Sequence, residues 1–244
     1  MRFKQIYYPE SRFGGFTNVD GTVTFYSRIN ALINPASIVV DAGCGRGAYA
    51  GDPIDYRRRL RVLKGKCRKV IGIDVDEKAA TNPFIDEFRQ IQTETWPVER
   101  DTADLIVSDN VLEHIEDPEN YFSEIHRILR SGGIVCIRTP NVLSYFGLIS
   151  RLVPNRQHAR ALEIVKDGLN ASDVFPTVYR CNTIRSIRNM LQKHGFEHCV
   201  YGYDAEPSYL SFSRFFYWLG VLHQRYAPEI FKVGIHAFGR KTDD

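Results

Sequence analysis

Three glycines at alternate positions, Gly43, Gly45 and Gly47, follow a strand-forming run in VVDAGCGRGAY, residues 39–49. A glycine turn directly after a buried strand brings backbone N–H groups close to a ligand, because no Cβ intrudes and positive φ is tolerated. Gly43, Gly45 and Ala48 also spell G-x-G-x-x-A, a pattern that cradles a dinucleotide pyrophosphate. The neighbouring carboxylates bear on the choice of ligand. Asp41 stands beside the loop, where it repels a pyrophosphate and attracts a cation. Asp74, closing the run KVIGIDVD, sits where a carboxylate can accept both hydroxyls of a ribose. The glycines alone fit two cofactors. A ligand with a sulfonium, an ammonium and a ribose but no phosphate, S-adenosylmethionine, fits the carboxylates better than NAD.

The elements that must position these residues alternate in type. From Ser37, short β-branched runs exchange with helical patterns, which predicts a parallel sheet with crossover helices. SIVVDAG, KVIGIDVD, residues 88–93, ADLIVSDN and GIVCIRTPN read as five strands. Asp52 reads as the cap of a helix with Pro53 in its first position, running through DYRRRLRVLKG to Gly65. A second helical stretch is expected over residues 77–88, around Pro83. DPENYFSEIHRILRSGG is the clearest helix, with Asp117 as cap, an apolar stripe from Tyr121 to Leu129, and Gly132 as its stop. The pattern loosens over about 142–180, which predicts a helical insertion. NTIRSIRNMLQKHGF is a further capped helix ending at Gly195, and EHCVYGYD and KVGIHAFGR are two last strands joined by an aromatic segment at about 207–230.

Composition narrows the class. The 244 residues fit one large domain, divided here into an N-terminal cap over 1–36 and a main domain over 37–244. The apolar fraction of 43% and charged fraction of 25% are ordinary for a soluble protein, and a net charge of +3 does not argue for nucleic acid. The densest basic run, Arg57, Arg58, Arg59 and Arg61, reads as a solvated helix face. Five cysteines without a C-x-x-C pair suggest neither disulfides nor zinc, but reduced thiols. No signal-length apolar core opens the chain and no run of about eighteen apolar residues occurs, so a cytoplasmic protein is expected.

VVDAGCGRG resembles the first motif of the class I S-adenosylmethionine-dependent methyltransferases, and IGIDVDEKA resembles the second. ADLIVSDNVLEHIEDPENYFSEIHRILRSGGIVCIRTPN is similar to the later ones; its V-L-E-H-I-x-D-P phrase resembles the subgroup acting on quinones, sugars and natural products. The likeness is close over residues 37–141, and NTIRSIRNMLQKHGFE resembles the family's penultimate helix and loop. It implies a Rossmann-like doubly wound α/β fold: a seven-stranded sheet of order 3-2-1-4-5-7-6, the last strand antiparallel, with helical lid insertions. It implies S-adenosyl-L-methionine as cofactor, with Asp41, Gly43, Cys44 and Gly45 at its methionine end, Asp74 on the ribose and Val75 beside the adenine. IQTETWPV stands where relatives carry an acidic G-D-A-x-x-L-P-F, so Gln92 replaces the usual Asp at the adenine edge, with Thr93 as its neighbour. Asp109 and Asn110, ending the fourth strand, would face the cofactor from the other side. The helix start at Asp52 is later than the family's habit.

The activity implied is methyl transfer to a small-molecule acceptor, with O-methylation of a sugar-like or secondary-metabolite substrate as the leading expectation and transfer to nitrogen or carbon left open. Transfer to a hydroxyl benefits from a general base, and His114 is the candidate by position. Glu113 reads as a residue that holds its loop. His158, Tyr179 and Arg180 are further pocket candidates. Asp109, Asn110 and Asp117 do not form a metal-ligand cluster, so no metal is expected. The aromatic segment admits three roles: a substrate lid, a homodimer interface or a peripheral membrane contact. A nicotinamide-dependent oxidoreductase and a catalytically silent binding subunit are the rival readings.

Overall fold

The structure, a computed structural model, describes residues 2–145 and 176–242. Its centre is a seven-stranded sheet of order β3-β2-β1-β4-β5-β7-β6. The strands are β1 (Ile38–Ala42), β2 (Lys69–Asp74), β3 (Glu87–Gln90), β4 (Ala103–Asp109), β5 (Leu129–Pro140), β6 (Phe196–Tyr203) and β7 (Gly234–Lys241). β1 to β5 pair in parallel, and β7 runs antiparallel to both β5 and β6. The sheet is therefore mixed, with its last strand reversed, as the resemblance implies. The carboxyl ends of β1, β2 and β4 share one edge, and in open α/β sheets that edge is where ligands sit.

Side chains alternate across a strand, so consecutive apolar residues serve two cores. Val40, Ile71 and Ile106 pack on one face beneath α4 (Pro118–Ile128) and α5 (Ile184–Lys193), through Phe122, Ile125, Ile187 and Leu191. Val39, Val70, Leu105 and Cys136 pack on the other, beneath Phe25 and Ile29 of α2 (Gly21–Leu32). Both crossover helices start on side-chain caps: Asp117 accepts the Asn120 N–H, and Thr183 and Ser186 cap each other's backbone.

Three local expectations are corrected. The helix after the glycine loop, α3 (Asp55–Arg61), begins at Asp55 with Ile54 in the cap position. Asp52 does not cap it, because its carboxylate closes a turn onto the Ile54 N–H and grips Arg57. The stretch 77–88 forms only a short 3-10 turn, Glu77–Thr81; Asn82, preceding a proline, is driven to an extended conformation and ends it. The helix before Gly132 stops earlier, at Ile128, because Leu129 pairs with Ala103 in the sheet.

The expected insertion lies largely outside the described residues, and His158 lies wholly outside them. In the aromatic segment, α6 (Arg214–Tyr226) buries Tyr217 and Val221 with Tyr8, next to α1 (Arg2–Tyr7). Phe212, Phe215, Phe216 and Trp218 remain exposed. Among the described residues no helix is long and apolar enough to cross a membrane.

Candidate functional site

The glycine loop is held by its neighbours rather than by itself. The Gly43 and Cys44 N–H groups donate to the Ile73 carbonyl at 2.8 and 3.3 Å, tying the loop to β2. The Gly45 N–H donates to Asp74 Oδ2 at 2.9 Å, and Asp74 Oδ1 accepts the Asp76 N–H at 2.9 Å. From the opposite side the buried Asn82 amide donates to the carbonyls of Cys44 and Gly45 at 2.9 and 3.1 Å. Gly47 is left-handed, at φ +75°, and a Cβ there would meet Asn82 Oδ1 at 2.8 Å. Gly45, at φ +53°, is different: a Cβ there would have nothing within 4 Å, so it faces open space.

That space is a cavity of about 500 Å³, bounded by the glycine loop, Asp41, Asp109, Tyr26, Tyr49, Arg57 and Arg61. Its two inner carboxylates differ. Asp109 is gripped by Arg138 through both oxygens, at 2.6 and 2.7 Å, and accepts the Tyr26 hydroxyl at 2.9 Å. Burial alone would raise its carboxyl, but the charge and hydrogen bonds of Arg138, with Arg61 and Tyr26, outweigh that and hold it below the usual carboxylate range. Asp41 has no hydrogen bond or ion pair among the described residues. Burial, then repulsion by Asp109, pushes it up to about 7, with Arg61 opposing and Asp74 adding to the rise. Tyr26 lies on α2, which Asp20 caps, and the same Asp20 takes Arg57 at 3.0 Å. The cavity can thus hold a ligand whose cation meets Asp41.

A family model described as a methyltransferase domain matches residues 21–200. The chain belongs to this methyltransferase family. A relative from Mycolicibacterium smegmatis named "Probable S-adenosylmethionine-dependent methyltransferase" is 31% identical over 112 residues, 44% of this chain and 39% of its own. A ubiquinone biosynthesis O-methyltransferase of Rhizobium etli is 27% identical over 103 residues, 42% of this chain and 41% of its own. The matched part thus spans about two fifths of the length of these curated relatives. A solved SAM-dependent methyltransferase from Thermotoga maritima covers 99% of this chain and 97% of its own at 17% identity, with a TM-score of 0.52, and shares the fold.

Within this methyltransferase fold, Asp41, Gly43, Cys44, Gly45 and Asp109 meet at the cavity. Asp74 lies beneath the loop, 8% exposed. Val75, just beyond it, is exposed, and its carbonyl accepts Gln90 Nε2 at 3.1 Å; Gln92 in turn donates to Gln90 at 3.1 Å. Thr93 is exposed and turns its hydroxyl to the Thr95 carbonyl at 3.0 Å. Asn110 is exposed and left-handed, at φ +58°, with its amide on Asp109.

His114 is not among the residues bounding the cavity; it lies on a 3-10 turn, Leu112–His114, with Nδ1 at 3.0 Å from the Pro176 carbonyl. A carbonyl only accepts, so Nδ1 carries the proton and Nε2 is the basic nitrogen of the neutral ring. Glu113 is buried and accepts the Thr139 hydroxyl at 3.0 Å, while its own carbonyl takes the Val178 and Tyr179 N–H groups. Burial raises the Glu113 carboxyl. Tyr179 is left-handed, at φ +50°, and Arg180 is exposed.

Among the residues of the site that escape a reading of the sequence are Asn82, Arg61, Arg138 and Tyr26. Only Arg61 left a usable signal, since it follows Arg57 by one helical turn and so shares its face.

Proposed function

We propose that the chain transfers a methyl group from S-adenosylmethionine to a small-molecule acceptor. The observation that carries this reading is the Asp41 carboxylate, left without a partner at the inner end of a glycine-floored cavity. Asp41, when ionised, disfavours a pyrophosphate at its end of the cavity, and the Gly45 α-carbon leaves room for a ligand to lie against the backbone. The residues present suit the sulfonium cofactor.

S-adenosylmethionine supplies a methyl group already activated by its positively charged sulfur. Asp41 would meet the ammonium end. Asp74, each oxygen of which is fixed by one backbone N–H and retains further acceptor capacity, would take the ribose hydroxyls. Val75 would lie against the adenine, with Gln92 and Thr93 at its edge, and Asn110 would border the site beyond Asp109. The remaining task is positioning, which can supply roughly 7–11 kcal/mol in favourable cases.

For the acceptor we propose a hydroxyl of a sugar-like or secondary-metabolite molecule. His114 would then be the base: its Nδ1–H donates to the Pro176 carbonyl, which fixes the tautomer in which Nε2 is the nitrogen that can take up a hydroxyl proton. The ubiquinone O-methyltransferase likeness supports oxygen as the methylated atom.

Calorimetric titration with S-adenosylhomocysteine and with NAD tests the cofactor. Binding of the first and not the second is expected, and NAD binding without S-adenosylhomocysteine binding would overturn the reading. Asp74→Ala should abolish binding, whereas His114→Ala should leave it intact and lower turnover of a hydroxyl acceptor by about 10²–10⁴-fold. Radiolabelled methyl transfer into metabolite extracts separates an active enzyme from a silent binding subunit.

A further inference from the structure

The run RRRLR, residues 57–61, looks uniform in the sequence, but α3 sorts it. Arg58 and Arg59 turn outward and pair with Asp55 at 2.5 and 2.9 Å. Arg57 and Arg61, one turn apart, face the cavity. Arg57 is fully engaged there, with both oxygens of Asp52 and with Asp20.

Arg61 is not engaged in this way. Its guanidinium lies 4.5 Å from the centroid of the Tyr49 ring and 5.5 Å from that of Tyr26, so two aromatic rings hold it in place. Its Nε is buried and has no hydrogen-bond partner. Its Nη2 reaches only to 3.5 Å of Asp109 Oδ2, an oxygen already taken by Arg138 and Tyr26. A buried N–H without an acceptor costs free energy, and a planar guanidinium fork is matched by a planar carboxylate. No hydrogen bond or ion pair joins Arg61 to Asp41 across the cavity. An immobilised cation with an unmet N–H, whose ion pair to Asp109 is long, and a carboxylate with no hydrogen bond or ion pair therefore bound the same cavity.

We infer that Arg61 anchors the α-carboxylate of the ligand's amino-acid tail, with Asp41 meeting the ammonium of the same group, so that the pair selects ligands carrying that tail. The inference rests on the S-adenosylmethionine reading and names the residue that would hold one end of the ligand. Arg61 thus acts in binding, and its effect should depend on whether the ligand has the tail.

The test crosses one substitution with one ligand truncation. Wild-type protein, Arg61→Gln and Arg61→Lys are titrated with S-adenosylhomocysteine and with methylthioadenosine, which keeps the adenosine and sulfur but lacks the amino acid. Arg61→Gln should lose about 10- to 100-fold in affinity for S-adenosylhomocysteine, the range of a charged hydrogen-bonded contact, and less than about threefold for methylthioadenosine. Arg61→Lys keeps the charge without the fork and should fall between, which also covers the case of an unstable Gln variant. Equal loss for both ligands, or loss for neither, would overturn the assignment while leaving the cofactor reading intact. Wild-type protein that binds neither ligand would overturn both.

Discussion

Asn82 donates its side-chain amide to the Cys44 carbonyl at 2.9 Å, while the N–H of the same peptide unit, on Gly45, donates to Asp74 at 2.9 Å. A trans peptide points its C=O and N–H in opposite directions, so this one plane is clamped from both ends. The second Asn82 bond, to the Gly45 carbonyl, fixes the next plane as well. The glycine loop therefore owes its shape to side chains from outside it, one at the end of β2 and one eight residues further on.

Asn82→Ala removes a buried donor of two hydrogen bonds and leaves two carbonyls without it. A loss of about 1–3 kcal/mol in stability is expected, measured by urea unfolding, together with weaker S-adenosylhomocysteine binding. An unchanged unfolding midpoint would show that the clamp contributes nothing.

Two glycines of the loop should respond differently to alanine. Both have positive φ, so each substitution carries a backbone cost of about 1–2 kcal/mol. Gly47→Ala adds a clash with Asn82 and Phe84, at 2.8 and 2.9 Å, and should lower the melting temperature the more. Gly45→Ala meets nothing in the protein but places a methyl group in the cavity, so it should keep the fold and lose ligand affinity. Thermal melts and titrations of the two proteins side by side separate stability from binding.

The Asp109–Arg138 pair is buried at the edge of β4 and β5, with Thr22 and Tyr26 of α2 completing its hydrogen bonds. Removing one partner of such a pair strands the other charge. Arg138→Met should therefore cost about 3–5 kcal/mol. The double variant with Asp109→Leu should recover part of that loss, because no unpaired charge remains; denaturant unfolding of the single and double variants measures it.

What the sequence disclosed follows the range of the interactions involved. The strands, and the cap at Asp117, depend on residues within one turn or one alternation of each other, and these were legible. The sheet order came from the family likeness and not from the pattern of residues. Arg57 to Arg61 was read as a solvated face, which holds for Arg58 and Arg59 and fails for the two that face inward, since the cavity opposite them is built from the distant Asp41, Asp109 and Tyr26. Asn82 gave no signal, because its partners lie in a loop nearly forty residues away in the chain. The late helix start has a local cause: Asp52 spends its carboxylate on Ile54 and Arg57, delaying α3 to Asp55.

Asp41 makes stability and binding depend on pH in opposite senses. Its carboxyl is pushed up from 3.8 to about 7, first by burial and then by Asp109, with Arg61 opposing and Asp74 contributing. Between those values the folded chain retains a proton that the unfolded chain has lost, so this group's contribution to stability is fully present below pH 3.8 and is lost as pH rises through about 7. Asp41→Asn, which cannot ionise, should consequently stabilise the ligand-free protein by about 4 kcal/mol at pH 8 and hardly at all at pH 4. A ligand ammonium reverses the preference by favouring the ionised carboxylate. Affinity for S-adenosylhomocysteine should rise from pH 5 to 7 by up to about tenfold per unit and then level, with a proton released on binding near neutral pH. The Asn variant should bind more weakly at pH 8 with little pH dependence. Calorimetry in buffers of different ionisation enthalpy reads both affinity and proton release; a flat wild-type profile would show that no cation of the ligand meets Asp41.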